Sequence, residues 1–452
     1  MLRSIFVFAV LPFFIACSSQ NKKKSATPVS PVVISDDALL DSVQKQTIKY
    51  FTEGAEPVSG MARERFHTDN DYPEKDKNII TSGGAGFGVM NLIIAIERKF
   101  ISREEGLQCL EKIVHFLETA DRFHGAWPHW WNGETGKTKP FSKKDDGADL
   151  VETSYMLQGL LCVRQYYKDG NEKERSLAQR IDKLWKEVEF DWFRNGKNVL
   201  YWHWSPNYEW QMNFPVRGYN ECLIMYVLAA SSPTHSVPAE VYHEGWAENG
   251  KIKSPHTALG YQLELRYQGN PPNGAPLFWS QYSYLGLDPR ELKDKYTDYW
   301  KENTNQTLIN YKWCVNNPKK YKGYGENNWG LTASYSVKFY AAHAPDSIND
   351  RGVITPTAAL SSFPYTPKES MAALKHWYYD MNDKLWGPYG FYDAFSETEN
   401  WYPLKYLAID QGPIPVMIEN YRSGLLWKLF MSCPEIKDGL KKLGFESPAL
   451  NK

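Results

Sequence analysis

Two kinds of apolar pattern alternate along the chain. In residues 102–119, Leu107, Leu110, Ile113, Val114 and Leu117 recur at three- and four-residue intervals, the stripe of an amphipathic helix. Residues 172–189 repeat the pattern with Leu177, Ile181, Leu184, Trp185 and Val188, and 36–53 and 367–381 read alike. Between them lie segments that are apolar nearly all round: 86–97, 150–167 and 219–230. A helix apolar on every side is buried on every side, so one set is wrapped by the other. This alternation predicts concentric rings of antiparallel hairpins, an all-α (α/α)6 toroid forming one domain over 36–452. Further segments in the second half are predicted at 237–248, 278–286, 296–316, 328–338, 355–362 and 412–430. Strand signals are weak, with 198–204 reading as a short hairpin arm. A tandem helical solenoid is the competing architecture, and the absence of a fixed sequence period disfavours it.

The connections 120–148, 190–217, 249–277 and 382–411 are long and rich in Trp, Gly, Pro and Asn. Long structured loops in a compact domain are usually functional. In a toroid they gather at one mouth and build a cleft.

Composition narrows the function. Lys and Arg number 52 against 53 Asp and Glu, a formal net charge of -1, which argues against a nucleic-acid groove. Hydrophobic residues make up 42%, too many for a disordered chain, and the mean hydropathy of -0.54 excludes a multi-span membrane protein. Aromatic residues reach 15%, with 17 Trp and 29 Tyr. Such a surplus fills a large core or supplies flat apolar faces for sugar rings.

The N-terminus reads as an address. Arg3 precedes an apolar run over 5–16 that is too short to span a bilayer, and Cys17 follows it. This resembles a bacterial lipobox, in which the Cys is lipidated. The expected organisation is a signal peptide over 1–16, a tether over 17–35 and the catalytic domain beyond. It implies a periplasmic protein held by its lipid on the periplasmic face of the outer membrane; separately, a monomer is expected. Five cysteines remain, in apolar surroundings and without a CxxC pair, which predicts buried thiols rather than disulfides or a thiolate zinc site.

The sharpest chemistry lies in GAWPHWW at 125–131 and DDGADLVE at 145–152. Asp145, Asp149 and Glu152 project to one side if the turn is helical, at the start of an all-apolar helix. The spacing of Asp149 and Glu152 is also that of a capping box. A further acid, Glu221, opens the next all-apolar helix in GYNE at 218–221. Acids at two inner-helix starts on one mouth face one cavity, and paired acids across a cleft are what glycoside hydrolysis requires. In that reading Glu221 is the candidate general acid, Asp149 and Glu152 are candidates for holding and activating water, and Asp145 is a candidate for binding substrate or tuning its neighbours; which carboxylate is acid and which is base stays open. No HExxH or calcium-loop spacing occurs, so no metal requirement is expected.

These strings, with GMARER at 60–65, TSGGAGFG at 81–88, YWHW at 201–204, NWGL at 328–331 and DQGP at 410–413, resemble the bacterial glucoamylase-like family. That family includes the β-1,2-glucanases of glycoside hydrolase family 144. The resemblance covers essentially the whole chain after residue 36. It implies an (α/α)6 toroid that hydrolyses glucans with inversion and without metal or cofactor, its acids falling on Asp145, Asp149, Glu152 and Glu221. The older family label suggests α-glucan; the characterised resemblance points to β-1,2-glucan or its sophorose-type fragments. Expected substrate contacts are Trp127, His129, Trp130, Arg63, Trp204, Asn220, Trp329, Asp410 and Gln411, each of which also admits a structural role. A polysaccharide lyase on the same fold and a non-catalytic glycan-binding lipoprotein are the alternatives. The acids at both helix starts disfavour the two.

Overall fold

The computed structural model describes residues 33–451; the expected signal segment, the expected lipidation site at Cys17 and most of the expected tether lie outside the described residues. One compact unit begins at Ser35. It is the predicted helical toroid. Six buried segments form its inner ring: Ser82–Glu97, Leu150–Tyr167, Leu223–Ser231, the helical turns of Leu277–Ser280 and Tyr282–Tyr284, Pro356–Leu360 and Pro413–Arg422. Amphipathic helices such as Asp36–Thr52, Arg103–Thr119, Glu172–Lys186, Tyr299–Asn316 and Pro367–Lys375 lie outside them.

Polar side chains stitch the ring shut from within. Asn91 Nδ2 donates to the Gly412 carbonyl at 3.0 Å, joining the first inner helix to the last. The Ile224 amide donates to Ser283 Oγ at 3.0 Å, and Gln281 Nε2 donates to the Ala358 carbonyl at 3.0 Å. A buried amide side chain without a partner would be costly, so each of these fixes a neighbour. The first two inner helices meet backbone to backbone. A Cβ at Gly86 would strike the backbone of Tyr155 and Met156, and one at Gly159 would strike the Gly86 carbonyl.

Local signals place the first-half helices well. Ser102 and Glu105 form a true capping box for Arg103–Thr119, and Asn171 and Glu174 do so for Glu172–Lys186. The second half departs from expectation. The segment predicted at 328–338 is not a helix: Gly330 turns the chain at φ +128°, and Ala333–Tyr335 then pairs with Tyr340–Ala342 as a hairpin. Residues 237–248 hold only the wide helical turn Val241–Trp246, and 278–286 are two short tight helical turns. The helix expected from 219 begins at Leu223, because Asn220 Oδ1 accepts from the Cys222 amide and unwinds the first turn. Cys109, Cys162, Cys222, Cys314 and Cys433 are all free thiols, four of them buried.

Candidate active site

Short strands tie the loops across the mouth of the ring. Ile79–Thr81 pairs with Trp130–Asn132, which pairs with Thr138–Lys139, and Ala148–Asp149 pairs with His203–Trp204. The Ser82 amide donates to the His129 carbonyl at 3.1 Å, and the Asp149 amide donates to the Trp127 carbonyl at 2.9 Å. The acidic turn and the aromatic loop are thus held against two inner-helix N-termini.

Asp149 and Glu152 form half a capping box. Asp149 caps its helix by accepting the Glu152 amide at 2.8 Å. Glu152 does not close the box; its Oε2 accepts the Gly83 amide at 2.7 Å, from the neighbouring helix. This is possible because Gly83 has no side chain: a Cβ there would overlap the Glu152 carboxylate.

Beside Glu152 lies a cluster of two half-buried imidazoles and two buried carboxylates. His129 Nδ1 is 3.1 Å from Asp149 Oδ2 and 3.8 Å from Asp145 Oδ2, and its Nε2 is 4.0 Å from Glu152 Oε1. His203 Nδ1 is 3.4 Å from Asp145 Oδ1. Trp202 Nε1 donates to Asp149 Oδ2 at 3.1 Å. Burial opposes a charge on His129, but Glu152, Asp149 and Asp145 around it raise it to about 9. Burial likewise opposes ionisation of Asp149, yet the close His129 imidazole, the neighbouring His203 and the Glu152 amide hold its carboxyl below the ordinary range. Donor atoms of His129, Asp145 and Asp149 lie within 4.8 Å of one another, a set that could hold a cation. The imidazolium supplies the positive charge at that point.

The two glutamates shift the opposite way from Asp149. Burial, with help from Asp149 and Asp145, raises Glu152 to about 7 against the opposing pull of His129 and the Gly83 amide. Burial also raises Glu221 to about 7, with Glu152 adding to the effect. Both line a cavity of about 950 Å³ together with Glu64, Arg65, Trp130 and Tyr282. A second cavity of about 790 Å³ lies beside it. Glu221, Trp202 and Phe278 line both, so the cleft has two lobes that meet at Glu221.

The expected site residues therefore separate. Glu152, Glu221, His129 and Trp130 line the cleft, while Asp145 and Asp149 stand behind it, holding the imidazoles. Several expected substrate contacts need correction. Trp127 and Trp329 are wholly buried, their indole N–H groups donating to the Leu117 and Glu369 carbonyls, so both are core. Arg63 is buried and donates to the Lys77 carbonyl and to Asn78 Oδ1 at 3.0 Å, tying down a loop; its neighbour Arg65 occupies the cleft beside Glu64. Trp204 is outside the lining of either lobe and packs edge-on against His124, whereas Trp202 reaches both lobes. Asn220 shapes the turn that carries Glu221 and bonds Gln268 at 2.7 Å. Gln411 donates to the buried Phe391 carbonyl at 2.8 Å.

Asp410 is buried beneath the floor of the cleft, 3.4 Å from the Tyr282 hydroxyl. Burial and the neighbouring Asp393 carboxyl raise it well above the usual range, and Asp393 itself is pushed up to about 7. Two like acids in one dry site share a proton. The sequence singles out neither Trp202 nor Asp393. Trp202 and Trp204 are two residues apart, so strand alternation alone places them alike and no local signal separates them.

With this geometry in hand, similarity to known proteins is decisive. The chain is 69% identical to an endo-β-1,2-glucanase from Chitinophaga pinensis whose structure holds sophorotriose and glucose, with a TM-score of 0.92 over 92% of this chain and 100% of that one. The chain belongs to glycoside hydrolase family 144, the bacterial glucoamylase-like family. The Glycoamylase family also matches residues 213–434. An exo β-1,2-glucooligosaccharide sophorohydrolase of Parabacteroides distasonis is 45% identical over 446 residues, covering 94% of this chain; the chain spans 60% of that relative's length. A fungal endo-β-1,2-glucanase from Talaromyces funiculosus, 10% identical with a TM-score of 0.67, shares the toroidal fold.

Proposed function

We propose that this family 144 chain is a glycoside hydrolase that cleaves β-1,2-glucan or its oligosaccharides with inversion. The observation that carries the reading is the pairing of Glu152 and Glu221, both buried, both raised to about 7, on the wall of one cleft. Glu221 is the general acid: a carboxyl kept protonated by burial gives its proton to the departing glycosidic oxygen. Glu152 takes a proton from a water that attacks the anomeric carbon, so the C–O bond to the leaving sugar breaks as that to water forms. His129, charged and next to Glu152, favours the ionised base. Asp149 and Asp145 position His129 and His203. The carboxylate cluster thus works as a stack in which the buried aspartates keep the imidazole charge in place behind the reacting pair.

Open lobes on both sides of Glu221 support cleavage within a chain rather than from a closed end. The names of the relatives, one endo-β-1,2-glucanase and one sophorohydrolase, support the linkage. The N-terminal run ending at Cys17 supports a lipid anchor and a periplasmic setting. The test is incubation with linear β-1,2-glucan, with reducing ends counted and the new anomer followed by NMR. Short β-1,2-oligosaccharides first appearing as the α-anomer are expected. Unsaturated products, retained configuration or no products at all would overturn the reading.

A further inference from the structure

Eleven large apolar side chains stand exposed among the described residues. Six of them line the two lobes of the cleft: Phe141, Phe214, Val337, Phe339, Tyr340 and Ile348. Exposed apolar surface that gathers on one concavity marks a binding surface rather than chance.

Phe339 is the extreme case. It is 88% exposed, so the core makes no use of its ring. It ends the four-residue tip between Ala333–Tyr335 and Tyr340–Ala342, where the Ser336 amide donates to the Phe339 carbonyl at 2.8 Å. Its φ is +67°, in the left-handed region where Gly or Asn is the ordinary choice and a bulky side chain is unfavourable. The residue therefore suits neither the turn nor the interior. A strained, exposed ring is retained where something outside the chain uses it.

We propose that Phe339 is a sugar-binding platform, placing its ring against a glucosyl unit of β-1,2-glucan on the Glu152 side of the cleavage point. The inference rests on the proposed glucanase activity and extends it to a named contact. The lobe that Phe339 lines also holds Trp130 and Phe141, with Phe141 stacked on His129 at 4.2 Å between ring centres. Aromatic rings lining the same lobe would let a flat pyranose face meet a ring while its hydroxyls keep to solvent and to Glu64 and Arg65.

The experiment uses the full chain with linear β-1,2-glucan and three proteins: wild type, Phe339→Asn and Phe339→Tyr. Asn accepts the left-handed turn, so loss of folding is not built into the variant. Phe339→Asn is expected to raise KM by about three- to tenfold, with kcat little changed and Tm equal to or above wild type. Phe339→Tyr keeps the ring and is expected to keep the wild-type KM. An unchanged KM in Phe339→Asn, or equal losses in Asn and Tyr, would overturn the inference while leaving the glucanase reading intact. A wild-type protein inert toward β-1,2-glucan would overturn both.

Discussion

The Gly83 amide donates a 2.7 Å hydrogen bond to Glu152 Oε2, joining the first turns of two inner helices. Only a residue without a Cβ permits that approach. Gly83→Ala is therefore expected to displace the Glu152 carboxylate and cut kcat by about a hundredfold, at a stability cost of about 1–3 kcal/mol. Steady-state kinetics on material shown to be folded checks this. Wild-type turnover in that variant would remove Glu152 from the reacting pair.

Glu221→Gln separates catalysis from stability. Loss of the general acid is expected to lower kcat by about two to four orders of magnitude. Stability should move the other way, and the sign follows from the raised carboxyl. Glu221 titrates near 4.5 in the unfolded chain and near 7 in the fold. Between those values the folded protein binds more protons than the unfolded one, so stability falls as pH rises. Above about 7 the loss is complete, on the order of 3 kcal/mol at most. Glu221→Gln should raise Tm at pH 8 and leave it unchanged at pH 4, a contrast that thermal melts at the two pH values will reveal.

His129→Asn removes the positive charge beside Glu152. That charge lowers the Glu152 carboxyl, so its loss moves the acidic limb of the kcat/KM profile to higher pH by about one unit. Activity at pH 6 should suffer more than activity at pH 8. A uniform loss at all pH values would mean that His129 acts by shape alone. Wild-type activity should also survive chelators; loss that added metal restores would put a cation among His129, Asp145 and Asp149.

Two tryptophans should respond differently. Trp329→Ala empties a wholly buried site and is expected to cost about 3–5 kcal/mol, with KM little changed. Trp130→Ala removes a cleft wall and should raise KM by about tenfold with a small change in Tm. Similar KM changes in both variants would break the division between core and cleft.

Cys17→Ala should shift the protein from the membrane fraction to the soluble periplasm. Fractionation followed by immunoblotting decides it, and unchanged membrane attachment would remove the lipid anchor from the proposal.

The inner helix over 150–167 was legible because its signals are local: an apolar face on every side and an Asp at the N-cap. The Ser102 and Asn171 caps are equally local. By contrast, 328–338 carried apolar spacing compatible with a helix, and its hairpin follows from Gly330 and from pairing with Tyr340–Ala342. The four acids were visible as types at the starts of two buried helices. That Asp149 caps while Glu152 crosses to Gly83 depends on where the neighbouring helix comes to rest.

The sequence by itself determined the alternation of buried and amphipathic helices, the family and the acids near the mouth, because these rest on periodicity and on neighbours a few residues apart. Tertiary structure alone decided that Trp202 rather than Trp204 reaches the cleft, that Arg65 rather than Arg63 stands beside the acids, and that Trp127 and Trp329 are core. Trp202 and Trp204, like Arg63 and Arg65, are close in sequence and alike in chemistry. What separates them is the direction a side chain takes from its strand or turn, and that is set by contacts with segments far along the chain.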